Sequence, residues 1–185
     1  MRALAGFVRA AEAVNERIGR IVAWLTLATV LICALVVFNR YALKVGFVWM
    51  QELYVWTHAA AFMLGAGYTL MADKHVRVDV LYAQAGPRRQ AWLDLVSTVI
   101  FLFPWIAVLL WFAWPYAATS ILLLEGSAQS GGMPGLFVLK GIILAFGALM
   151  GLQGLAICAR SVLVLAGHGD LAPRPAIEGA GEIGA

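Results

Sequence analysis

Charge is what this 185-residue sequence has least of: Asp, Glu, Lys and Arg make up 12% of it, against about 25% in an ordinary soluble domain. With 63% apolar residues and a mean hydropathy of +0.87, a water-soluble fold is excluded. Cysteine is nearly as scarce. Cys33 and Cys158 lie in separate apolar stretches and neither belongs to a CxxC pair. A disulfide framework, a zinc site and a four-helix thiol oxidoreductase therefore have no support, and both cysteines read as small packing residues. The histidines are His58, His75 and His168. A haem- or quinone-associated membrane anchor of a redox complex, the alternative reading, would be expected to place two in facing spans, and only His58 lies within an apolar run. No polar linker divides the apolar stretches between residues 21 and 159, so the chain reads as one membrane domain.

What is present is four long uncharged runs. A hydrocarbon core of about 30 Å takes roughly 20 helical residues to cross. Ile21–Phe38, Leu53–Ala72, Leu95–Leu124 and Gly141–Ala159 meet that length or come close to it. With their flanks they predict spans at about 21–40, 50–72, 92–124 and 136–160, inside a single domain covering 1–166. The third run would reach about 45 Å as a helix, so it must tilt, kink or leave the bilayer. Pro104 and Pro115 are the expected kink points. Of the thirteen basic residues, ten fall in the N-terminal segment, the central 73–94 loop and the C-terminal tail, leaving Arg40, Lys44 and Lys140 for the other side. By the positive-inside rule both termini and the central loop are cytoplasmic. The net charge of +3 comes from clusters beside apolar segments, so it indicates topology and membrane lipid, not nucleic acid.

Ahead of the first span, Leu4, Phe7, Val8, Ala11, Val14 and Ile18 recur at three- and four-residue steps, while Arg9, Glu12, Glu16 and Arg20 fall elsewhere. The pattern predicts an N-terminal amphipathic helix lying in the interface; a plain extension of the first span is the other possibility. The fold class is thus all-α integral membrane, four transmembrane helices preceded by an interfacial helix. Residues 167–185, rich in Gly, Ala and Pro, are expected to form a disordered cytoplasmic tail.

Polar residues at a membrane are costly, and each is a functional candidate. Arg40 closes span one and Glu52 opens span two, with Trp49 between them at the membrane surface. An Arg40–Glu52 pair would pin the two helix ends together; two snorkelling charges that never meet is the other reading. His75, Arg77 and Asp79 follow span two, and a helical turn would bring His75 to Asp79. That cluster reads as a hydrogen-bonded structural turn, since no further ligands or catalytic partners converge on it. The segment from Glu125 to Gly135, with Ser127 inside it, is a turn-rich external loop that serves as a connector or a docking surface. Lys140 is placed to pair with Glu125 and close it.

Together, Asn39-Arg40-Tyr41, Trp49-x-x-Glu52-Leu53, Trp56, Leu64-Gly65-Ala66 and His75-Val76-Arg77-Val78-Asp79-Val80-Leu81 resemble the DctQ-like small permease subunit of TRAP transporters. The likeness runs from about residue 15 to 165, and Glu125, Ser127 and Lys140 match one branch of that family. Gln51 departs from it, standing where many relatives carry a second acid. The resemblance implies a multi-pass subunit of a bacterial inner membrane, without enzymatic activity or a cofactor of its own. Its implied partners are a large M-type permease subunit, which would bind the sodium, and a periplasmic P-type substrate-binding protein delivering an organic acid. A scaffold role agrees with the composition, because the runs as delimited carry no charge, Lys140 standing just outside the fourth, and no Gly-interrupted half-helix pair.

Overall fold

In a computed structural model, residues 1–75, 82 and 85–171 are described, so Arg77, Asp79 and the chain beyond 171 lie outside the described residues. Four long helices run back and forth through the described part of the chain. They are α1 (Arg2–Tyr41), α2 (Val48–Met71), α3 (Pro87–Leu122) and α4 (Leu136–Leu165). Among the described residues there is no strand. Helices α1, α3 and α4 are long and apolar enough to cross a membrane. The shorter α2, 24 residues long, falls below that level because Tyr54, Trp56, Thr57, His58 and Tyr68 dilute its aliphatic content.

The expected separate N-terminal helix is instead the first half of one uninterrupted helix of 40 residues. Gly19 lies inside this helix, where the Tyr68 ring takes the space a side chain would need: a Cβ there would lie 2.4 Å from that ring. The packed face also differs from the expected apolar stripe. Ala5, Val8, Ala11, Asn15, Gly19 and Val22 are buried, while Phe7 and Val14 face outward. Ala5 and Val8 meet Ala159 and Leu163 of α4, with Leu4 and Leu171 packed around them. Residues 167–171, expected as tail, are thus part of the fold, with Gly169–Leu171 forming a 3-10 turn.

Helix α3 is made of Pro87–Ser97, a π-helical turn at Thr98–Leu102, and Phe103–Leu122. In the π turn the Phe103 N–H donates to the Thr98 carbonyl five residues back, and the next residue, Pro104, has no N–H to restore the regular ladder. The irregularity expected at Pro104 therefore appears as this turn, whereas Pro115 sits inside continuous helix. Small residues let α4 come close to α3: a Cβ on Gly147 would lie 2.6 Å from Leu110, and one on Gly154 would lie 2.9 Å from Leu102 and Phe103. The interior is narrow, and Trp24, Phe62, Trp111, Phe112 and Trp114 are exposed on the outer faces.

Candidate functional site

The described polar side chains collect at the two ends of the bundle. At the end carrying the 123–135 segment, Glu52 projects from the second turn of α2 toward the loop between α3 and α4. Its carboxylate accepts the Ser127 hydroxyl on one oxygen and the Met133 backbone N–H, at 2.6 Å, on the other. The loop is drawn around this contact: Ser127 N–H donates to the Met133 carbonyl at 3.0 Å, and Gln129 N–H to the Ser127 hydroxyl at 3.1 Å. Gly132 passes directly over it, where a Cβ would lie 2.3 Å from the Ser127 hydroxyl oxygen. Gly131 and Gly135, with φ of 76° and 92°, supply the left-handed turns. The tip at Ala128, Gln129 and Ser130 is left exposed.

Lys140, on the second turn of α4, closes the base of the loop. Its ammonium lies 2.5 Å from Glu125 Oε2 and 4.1 Å above the Tyr116 ring. The Lys140 hydrogen bond holds the Glu125 carboxyl below its ordinary value of 4.5. Glu52 and Glu125 therefore spend their charge on the loop itself.

At the opposite end, α1 and α4 share a polar seam. Glu12 pairs with Arg160, both mostly buried. One turn along, the Asn15 amide donates to Gln153 Oε1 at 2.9 Å, and these two side chains are 1% and 0% exposed. Gly67 of α2 makes room, since a Cβ there would lie 2.3 Å from Asn15 Oδ1. Between the ends, Thr29 of α1 donates to Thr57 of α2 at 2.9 Å.

The structure brings together some of the candidate residues and separates others. Glu125 and Lys140 form the expected pair. The expected Arg40–Glu52 pair does not form. Both Glu52 oxygens are occupied by loop donors, and Arg40 is exposed with no ion pair to Glu52 among the described residues. Trp49 is exposed at the start of α2, its ring 6.2 Å from that of Phe47. His75 folds back on the end of α2, its Nε2 3.2 Å from the Thr69 hydroxyl. Its expected neighbours Arg77 and Asp79 are outside the described residues.

Sequence reasoning missed the Glu52–Ser127 contact and the whole α1–α4 seam. Gln153 was the available signal for the seam, being an amide in the middle of an apolar run and costly there without a partner. Among the described residues no three His, Cys, Asp or Glu side chains converge in a way that would hold a metal ion. His58 lies in the first half of α2 and His75 past its last turn, too far apart to grip one prosthetic group between them.

A family model described as tripartite ATP-independent periplasmic transporters, DctQ component, matches residues 29–163. No curated protein and no solved structure matches the chain.

Proposed function

The chain belongs to the DctQ family, the small permease component of tripartite ATP-independent periplasmic transporters, and we propose that it acts there as a fixed scaffold, not as the path of the substrate. In this reading all four long helices span a bacterial inner membrane, with both termini cytoplasmic. The first half of α1 continues the first span toward the cytoplasmic side and packs beside the end of α4. A large permease subunit binds the sodium and moves an organic acid against this chain, and a periplasmic binding protein docks on the outer face, where the tip of the 125–135 loop is presented.

One observation carries the reading. Glu52, Glu125 and Glu12 are each engaged by groups of this same chain, so these three acids serve internal cohesion and not the carriage of an ion through the spans. The outward apolar walls suit a partner or lipid: Trp111 is 77% exposed and Phe112 70%. Pinning the outer loop at Glu52 and Lys140 gives a docking partner a surface of fixed shape, which lowers the ordering cost of association.

The test is sodium-driven uptake in proteoliposomes holding the large subunit and the binding protein, with and without this chain. Uptake should require the chain, and substitutions on its outer walls should lower rate or assembly without changing which acid is carried. Full-rate uptake by the large subunit alone would end the scaffold reading. A change of substrate caused by a substitution in this chain would place it on the path instead.

A further inference from the structure

Val55, His58 and Phe62 are exposed at three- and four-residue steps, on one outward face of α2. Phe62 is 73% exposed, and Ala59 and Ala66, one turn to either side of it, leave its ring projecting from a low surface. The outward faces of the neighbouring helices are different in kind. Leu27 and Leu31 of α1, and Val108 and Phe112 of α3, present hydrocarbon that lipid accepts.

His58 does not fit a face covered by lipid. It lies ten residues from the start of α2 and 13 from its end, which is about 15 and 20 Å of helix rise. With α2 crossing the bilayer, the imidazole sits within the hydrocarbon, on a side chain too short to reach the head groups as lysine and arginine do. A neutral imidazole carries a donor on one ring nitrogen and an acceptor on the other, and acyl chains satisfy neither. Among the described residues none hydrogen-bonds to it. Thr69, exposed further along α2, instead returns its hydroxyl to the Ala66 carbonyl of its own helix. An unpartnered imidazole at this depth calls for a polar group from another chain.

We infer that this face of α2 is where the chain docks on the large permease subunit. A membrane helix of that subunit lies along Val55, His58 and Phe62 and gives His58 a carboxyl, amide or hydroxyl group as its hydrogen-bond partner. Ala59 and Ala66 let the two backbones approach closely, and the Phe62 ring enters the surface of the partner helix. A second copy of this chain would meet the face about a two-fold axis and set His58 near its own counterpart. The family describes one component of a three-part system, which supplies a different membrane partner. The inference rests on the scaffold reading and narrows the outward walls to the one that takes the partner.

Photo-crosslinking in membranes that hold both full-length subunits tests it. With Phe62→p-benzoylphenylalanine, irradiation should give an adduct with the summed mass of this chain and the large subunit, and Phe112→p-benzoylphenylalanine on α3 should give little of it. An adduct of two copies of this chain, adducts with lipid alone, or a joint adduct confined to position 112 would each overturn the inference. The role of His58 is read from the affinity of the purified chain for the large subunit in lipid nanodiscs. His58→Leu should bind about tenfold more weakly, the scale of one lost hydrogen bond whose partner is stranded, while His58→Gln, which keeps a donor and an acceptor, should stay within about threefold. On its own the leucine variant should be no less stable than the unaltered chain, so weaker binding is not a failure to fold. Leucine binding as tightly as histidine would overturn the assignment of His58. Uptake that proceeds without this chain while the position-62 adduct persists would end the scaffold reading and leave the docking face standing, so the two failures are distinct.

Discussion

The carboxylate of Glu52 accepts the backbone N–H of Met133 at 2.6 Å, tying the second turn of α2 to a residue 81 positions further along the chain. The start of α2 and the loop that follows the next long helix, α3, are thereby held as one unit. Glu52→Gln keeps one acceptor but loses the charge that strengthens both bonds. Hydrogen exchange at the Met133 amide should accelerate in this variant, and less so in Ser127→Ala. Equal exchange in all three proteins would remove the clamp.

Arg40 and Glu52 should behave as independent sites. Reversing each charge singly and both together, with thermal stability in detergent as the readout, is expected to give additive losses. Glu12 and Arg160 should not: reversing either strands a mostly buried charge, and exchanging the two should recover part of the loss, with a coupling on the order of 0.5–3 kcal/mol. Additivity at Glu12 and Arg160 would dismiss their pairing.

The Glu125–Lys140 bridge predicts an acid response. The Glu125 carboxyl is held below its ordinary value of 4.5 by the Lys140 hydrogen bond. The bridge therefore contributes stability at neutral pH that is lost as the pH falls through the lowered folded value. Tyr116, beneath the Lys140 ammonium, offers a fluorescence reporter once its change is compared with that of a Tyr116→Phe protein. The unaltered chain should show a transition below pH 4.5, and Lys140→Met should move it up toward the ordinary carboxyl value. A transition at the same pH in both proteins would refute the coupling.

Asn15 and Gln153 are a buried neutral pair. Removing one partner should cost about 1–3 kcal/mol by stranding the other, whereas replacing both with leucine should recover most of that loss. Unfolding titrations in bicelles give the comparison. A double variant no better than the worse single one would mean that shape, not hydrogen bonding, fixes the seam.

Gly67→Ala must displace Asn15, since its Cβ would lie 2.3 Å from the amide oxygen, whereas Gly151→Ala meets nothing within 4 Å. The first should destabilise by roughly 1–3 kcal/mol and the second should be near neutral, as read by the same unfolding titrations. Comparable losses at both glycines would show that helix propensity, not close approach, governs these positions.

Much of the fold is legible from composition along the chain. The four helices lie where uncharged runs of adequate length lie, because the cost of burying charge in hydrocarbon acts on each segment separately. Glu125 and Lys140 are readable as a pair because both flank one loop. Glu52 is not readable in the same way. The cation expected to meet it, Arg40, sits across a short turn, yet the donors that reach it belong to residues 127 and 133. Contacts set by how helices dock leave no local periodicity. The α1–α4 seam shows the same limit, since Asn15 and Gln153 are 138 residues apart. The N-terminal pattern is only partly informative for a related reason: Val8 and Ala11 of the stripe are buried, but Phe7 and Val14 point outward, and small and polar residues, Ala5, Asn15 and Gly19, complete the packed face.

The continuity of α1 makes the chain a stiff beam. At 1.5 Å per residue, its 40 residues extend about 60 Å, so a tilt of about 10° pivoting on one end would carry the other about 10 Å sideways. Asn15 fixes one stretch of the beam to α4, and Thr29 fixes the next to α2. A push on the Arg2 end therefore cannot be absorbed locally. It arrives at Tyr41, across the full depth of the molecule, as a displacement of the turn that leads into Glu52.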